Sequence, residues 1–294
     1  MRTARSGLLG VCCALSLLSV PAFGAGGEAA EDTSPASTLD LTYDLYVGGI
    51  PLGKVSLSAR FQGGDYKAIS SLETKGIVNA FWQAKIEAAS SGSATPKKLQ
   101  PSLYDSFSQN KSVQRQHATL SFGPDGPKSV TSDPPYKDNK YPVSEEQKKG
   151  TLDPLSAAVY LTSGIAFTNN AKPCEATAPV FDGRRRYNVA SNFVKNTTVH
   201  ADNGLYSGPA MVCQIHYNEI AGYSQTVIEQ NKKFPKMFAW VVPVQASNDA
   251  SRHYTIPVRL WAETDYGIVA AVASQVKLDG QPLNRSETAL NRAG

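Results

Sequence analysis

The 294-residue chain carries 29 Lys and Arg against 25 Asp and Glu, a formal net charge of +4, with 41% hydrophobic and 18% charged residues. An excess this small excludes a general electrostatic drive toward nucleic acid or anionic membranes, so any basic function has to be local. The length is ample for a substantial core and fits either two small domains or one large all-β domain.

The chain opens MRTARSGLLGVCCALSLLSVPAFG. Arg2 and Arg5 form a positive n-region, Leu8 to Val20 an apolar run too short to span a bilayer, and Ala22 to Gly24 a small-residue cleavage site. Residues 1–24 therefore read as a secretory signal peptide. Lipidation at Cys12 or Cys13 is disfavoured, because Val11 is a poor neighbour for that cleavage and most of the apolar run would follow it. Residues 25–38, rich in Glu, Ala, Ser, Pro and Gly, read as a flexible leader. No later segment approaches 18 uncharged apolar residues, so the mature chain is expected to be soluble and to hold no transmembrane segment.

From Leu39 the pattern has period two. Leu39, Leu41, Tyr43, Leu45 and Val47 alternate with Asp40, Thr42, Asp44 and Tyr46, which predicts a half-buried strand. The stretch GGIPLG breaks it, Val55 to Phe61 resumes the alternation, and Gly63-Gly64 turns into a third strand from Tyr66. Three strands joined by glycine turns predict an antiparallel meander. Weaker strand signals run over Phe81–Ala88, Ser102–Gln109 and His117–Phe122, while Gly123–Gly126 and Ser132–Pro142 read as loops.

One helix is expected, at TLDPLSAAVYLTSG. Asp153 suits the N-cap, Pro154 the first helical position, and Gly164 a left-handed stop. Leu155, Ala158, Val159 and Leu161 to Ile165 supply its apolar stripe. Cys174 and Cys213, the two cysteines left after signal-peptide removal, predict one structural disulfide. The absence of Cys-x-x-Cys spacing argues against a redox pair or a metal site. Closing a loop of about 40 residues should stabilise by roughly 4 kcal/mol.

Strands are expected again over Val180–Ser191, Pro209–Ala221, Phe238–Val244, His253–Ala262 and Tyr266–Leu278. Met211, Cys213, Ile215 and Tyr217 share one face of the second, and the last is apolar on both faces for part of its length, as a central strand would be. The first holds FDGRRRYNV. By parity, Arg184 and Arg186 fall with Asn188 on a solvated face, whereas Arg185 falls with Tyr187 and Val189. Arg185 must then snorkel, pair with a carboxylate or meet a ligand anion.

Ten or eleven strands, one principal helix and no strand–helix alternation predict a mainly β fold. The expected form is a strongly curved antiparallel sheet, an open barrel or β-spiral, in a single domain over residues 39–280. A polar tail follows at 281–294. The helix would dock on or into the curved sheet.

Taken in order, YDLYVGGIPLGKVSLSA, GTLDPLSAAVYL and FDGRRRYNV resemble the domain-of-unknown-function 3108 family of exported Gram-negative proteins, from about Leu39 to Leu278. The resemblance implies a periplasmic location and carries over no catalytic residue. In architecture the family is similar to periplasmic β-spiral envelope-integrity proteins, and more distantly to lipoprotein carriers with an apolar concave face.

The chain shows no convincingly placed Gly-x-Ser-x-Gly or Ser-x-x-Lys, no paired histidine motif among His117, His200, His216 and His253, and no phosphate loop. No catalytic residue, metal ligand or cofactor is assigned, and nucleic acid is not an expected partner. The pairs Asp40/Asp44 and Glu145/Glu146 read as exposed. Phe81 and Trp82, and Phe234, Met237, Phe238 and Trp240, read as core or edge packing, with an apolar ligand cavity as the rival reading. The candidate ligand-binding set is Arg184, Arg185, Arg186 and Tyr187. The expected function is a non-enzymatic binding or interaction module supporting the cell envelope, with an envelope protein or an apolar or anionic ligand as partner. A carrier of lipid or another apolar ligand is the first alternative, and an enzyme acting on cell-wall material the second.

Overall fold

The alternation that begins at the N-terminal end of the domain persists through most of the chain and builds one continuous wall. The computed structural model describes residues 36–75, 83–110, 115–136, 140–167, 173–201, 203–231, 235–246, 253–265 and 267–283. The expected signal peptide, the leader up to residue 35, the tail beyond 283, Phe81, Trp82 and Phe234 lie outside them.

Seven strands follow from the N-terminal side: β1 (Ser37–Val47), β2 (Ile50–Gln62), β3 (Asp65–Thr74), β4 (Ala84–Thr95), β5 (Lys98–Asn110), β6 (Gln116–Gly123) and β7 (Gly126–Asp133). Two helices interrupt, α1 (Glu145–Lys148) and α2 (Pro154–Thr162), then a 3-10 turn at Ile165–Phe167. The chain returns through β8 (Ala176–Phe181), β9 (Arg186–His200), β10 (Ser207–Ala221), α3 (Gln225–Asn231), β11 (Met237–Gln245), β12 (His253–Thr264), β13 (Gly267–Leu278) and β14 (Gln281–Pro282). Their order in the sheet is β7-β6-β5-β4-β3-β2-β1-β13-β12-β11-β10-β9-β8, with β14 beside β13. Every named pairing is antiparallel, so the fold is mainly β, a nearly closed barrel-shaped antiparallel sheet.

Two pairings make the barrel one body. β1 lies against β13, with Leu39 opposite Leu278 and Val47 opposite Val269, and β12 flanks β13 on its other side, so β13 is a central strand. At the other side the β6–β7 turn and the end strand β8 are linked through the segment before α2. Gly150 N–H donates to Asp125 O (2.7 Å), Leu152 N–H to Pro179 O (2.8 Å), and Phe181 N–H to Leu152 O (2.9 Å). Leu152 thus forms a parallel bridge to Val180, and the edge of β8 is covered.

α2 lies in the lumen. It packs against β8 and β12 on one side and β3, β4 and β5 on the other. Asp153 caps it by accepting the Ser156 N–H, and Pro154 opens it. Gly164, at φ 79°, ends it; a Cβ there would lie 1.5 Å from the His253 carbonyl oxygen. Leu155, Val159 and Ile165 enter one core with Leu39, Leu41, Phe61, Tyr66, Tyr104, Leu120, Phe181, Tyr254 and Ile256. The helix therefore fills one end of the barrel with side chains that the strands alone would leave exposed.

Several boundaries differ from the sequence reading. β4 begins at Ala84 and runs to Thr95, and β7, whose sequence GPKSVTSD lacks apolar alternation, is an additional strand. The expected strand Val180–Ser191 is two strands, because Asp182 to Arg185 form the hairpin between β8 and β9. α1 and α3 are too short to show a helical period. β1 takes in Ser37 and Thr38, assigned to the leader, and Gln281 and Pro282, assigned to the tail, pair with β13.

Candidate functional site

Above α2 the lumen is not filled. A cavity of about 510 Å³ remains, walled by Leu41, Tyr43 and Leu45 of β1, Val55 and Leu57 of β2, and Leu72 and Ile86 of β3 and β4. Ile215, Ala239, Val241, Leu260 and Ala271 face these from the opposite wall, and Leu155, Ala158, Leu161 and Phe167 make the floor. The space arises from small side chains at facing positions: Ala88, Ala158, Ala239 and Ala271, with Ser70 and Ser191. Larger residues there would have closed the core as they do around α2. The lining is apolar apart from a few hydroxyls, and the Tyr43 hydroxyl is engaged with Pro257 O at 2.9 Å.

The two cysteines belong to this wall. Cys174 and Cys213 stand at disulfide distance, with Cα atoms 5.6 Å apart, and both are buried. They tie the stretch after α2 to β10, so floor and wall are covalently joined. Cys174 holds a left-handed backbone at φ 77°, unusual for a residue with a Cβ.

β10 leads from the cavity to solvent. Its inward positions are Cys213, fully buried, then Ile215, which lines the cavity, then Tyr217, 40% exposed. Tyr217 lies opposite Val189, another lining residue, and its ring is 4.6 Å from that of Tyr187. Its hydroxyl shares a 2.5 Å hydrogen bond with the Tyr223 hydroxyl. The Arg185 guanidinium sits over the Tyr223 ring at 5.5 Å. Gly222 allows this approach, since a Cβ there would lie 2.5 Å from Arg184 O and 2.9 Å from the Arg185 Cα.

The parity expected for the arginines is overturned by the hairpin. Asp182 Oδ1 accepts the N–H groups of Arg184 (2.8 Å) and Arg185 (2.7 Å), so both belong to the turn and β9 starts only at Arg186. Arg185, expected to point inward with Tyr187 and Val189, is exposed on the turn. Arg186, expected on a solvated face, is half-buried. Its Nε donates to Gln147 O (3.0 Å), and one terminal nitrogen donates to Tyr187 O (2.6 Å) and Asn188 Oδ1 (2.7 Å). Arg186 therefore anchors the segment that joins β7 and β8. Arg184 lies over Tyr136 at 5.0 Å. Of the four candidates, Arg185 and Tyr187 stand beside the Tyr217–Tyr223 pair at the mouth. The sequence reading placed Tyr217 on the Cys213 face but gave no signal for Tyr223.

A second polar cluster is sealed below the cavity. Asp153 accepts from Ser156 N–H (2.8 Å), from the Ser90 hydroxyl (3.0 Å) and from the Ser156 hydroxyl, and Tyr66 shares hydrogen bonds with Ser156 (2.6 Å) and Ser90 (3.2 Å). Burial raises the Asp153 carboxyl above its ordinary value despite these donors. Burial likewise pushes Tyr66 up to about 12. All four groups are buried and none lines the cavity, so the cluster fixes the start of α2.

Phe238 and Trp240 do not line the cavity. Phe238 and Trp240 pack against Trp261 on the outer side of β11 and β12, with Arg259 over the two Trp rings at 5.1 and 5.8 Å. His117 meets Asp105 at 2.7 Å and His200 meets Ser207 at 2.6 Å, both at exposed positions. Among the described residues, no three His, Cys, Asp or Glu side chains gather as a metal site, and no helix is long and apolar enough to cross a membrane.

Among solved structures, the chain is similar to a β-barrel-like protein of the domain of unknown function DUF1849 from Brucella abortus. Identity is 9%, the likeness covers 82% of this chain and 97% of that one, and the TM-score is 0.49. No curated protein matches the chain. Residues 42–274, from within β1 to within β13, match the family described as protein of unknown function DUF3108. The match covers most of the chain, and the protein belongs to the DUF3108 family.

Proposed function

We propose that the protein is a non-enzymatic binding protein of the cell envelope that carries one apolar chain, such as the acyl chain of a lipid, in the barrel lumen above α2. The observation that carries this reading is the apolar cavity of about 510 Å³, within the size range of small-molecule sites. A lumen filled to its mouth by side chains would have left no place for such a ligand. The N-terminal pattern of Arg2, Arg5 and the apolar run, with the buried Cys174–Cys213 pair, supports export to the periplasm as the setting.

Titration of the purified protein with saturated fatty acids of increasing length tests it. Each methylene buried contributes about 0.8 kcal/mol, so affinity should rise about four-fold per carbon until the cavity is full. Ala271→Trp, which places an indole in the lumen, should abolish binding while the far-ultraviolet circular dichroism is retained. Binding that ignores chain length, or survives the filled lumen unchanged, sinks the reading.

A further inference from the structure

We infer that the ligand is an anionic amphiphile, its tail in the lumen and its charged head at the mouth between Arg185 and the Tyr217–Tyr223 hydroxyl pair. The inference rests on the cavity reading and adds the head-group chemistry. The path is continuous: Ile215 and Val189 line the cavity, Tyr217 stands next along the β10 face and opposite Val189, Tyr223 is hydrogen-bonded to Tyr217, and Arg185 covers Tyr223.

Each group at that mouth has hydrogen-bonding capacity left for an anion. Arg185 is exposed, and among the described residues no carboxylate lies within ion-pair distance of it. A guanidinium held over a ring at this distance is attracted by its charge and keeps its N–H donors for a second partner. In the tyrosine pair one hydroxyl donates to the other, so one O–H proton remains unspent. Burial raises both phenols, which keeps them protonated donors at neutral pH.

Two acids lie nearby. Asp182 uses Oδ1 to accept the Arg184 and Arg185 N–H groups, and Glu219 sits opposite Tyr187, one alternation farther from the cavity than Tyr217. Of the three guanidiniums in sequence only Arg185 borders the pair; Arg184 lies over Tyr136, and Arg186 is spent on Gln147, Tyr187 and Asn188. An anionic head is favoured by the unspent donors at the mouth, the Arg185 N–H groups and one tyrosine O–H, and not by net charge, which Asp182 and Glu219 offset.

The test compares a long-chain fatty acid with its methyl ester at pH 8 by calorimetric titration. The wild type should bind the acid about ten-fold tighter than the ester, the scale of one charged hydrogen-bonded contact. Arg185→Met should remove that preference, weakening the acid about ten-fold and leaving the ester within two-fold. Arg60→Met, which deletes an exposed charge on β2 elsewhere on the sheet, should keep the preference. Equal affinity of the wild type for acid and ester overturns the head-group assignment and leaves the cavity reading standing. A preference that survives Arg185→Met, or is lost equally in Arg60→Met, overturns the role of Arg185. Binding of neither compound overturns both readings together.

Discussion

Asp153 shows what one residue does at the base of the barrel. Its sequence context marked it as an N-cap, and that part was legible, because Asp before Pro at the head of an apolar run has few other uses. Its burial was not legible, since Ser90 of β4 is brought to it, and Tyr66 of β3 to Ser90 and Ser156, by tertiary packing alone. Asp153→Ala should cost about 3 kcal/mol, because it removes the cap and leaves buried hydroxyls without their acceptor. Asp153→Asn should cost less, since the amide retains a capping oxygen and carries no charge to desolvate. The carboxyl is raised in the folded state, so its native form binds more protons than the unfolded one above the ordinary carboxylate range. Its contribution is present below that range and is lost as pH rises through the raised value. Urea unfolding at pH 4 and pH 7 should therefore show the wild type losing stability relative to Asp153→Asn as pH increases.

At the scale of elements, the meander β1–β3 and α2 could be read directly, because each has an unbroken period and clear stops. β7 could not, since a polar end strand gains its place from pairing with β6 rather than from its own pattern. The β8–β9 hairpin was hidden for a related reason. Arginines tolerate both strand and turn, and a shift of one residue in where β9 begins reverses which guanidinium is engaged. The cavity was illegible as well, because it consists of small residues on strands far apart in sequence. At the end of α2, Gly164→Ala should destabilise by at least about 3 kcal/mol. It adds left-handed strain, and the new Cβ would overlap the His253 carbonyl, forcing β12 to shift. A lowered urea midpoint checks this; a variant as stable as wild type would show that the close approach of α2 and β12 is not maintained.

At the scale of the whole molecule, the barrel is one sheet whose floor is held to its wall by Cys174 and Cys213. Replacing both with Ala removes a link across 39 positions and should lower the unfolding free energy by about 4 kcal/mol, measured by urea denaturation. A smaller loss is expected when position 174 becomes Gly with Cys213→Ala, because Gly accepts the left-handed backbone found there. The fold class and the cysteine pairing were legible from counts and alternation. The near-closure was not, since it depends on backbone groups of Gly150 and Leu152 that no side-chain pattern reports. The pairing of β1 with β13 has a further consequence, for synthesis. Leu39 must wait for Leu278, so a chain emerging from its N-terminal end can zip β1 to β7 early, yet the halves of the sheet cannot be joined until nearly the last strand has appeared. Until then β1 presents an unpaired edge beside an apolar surface, and a chain crossing a membrane unfolded would complete its barrel only after its last strands have arrived.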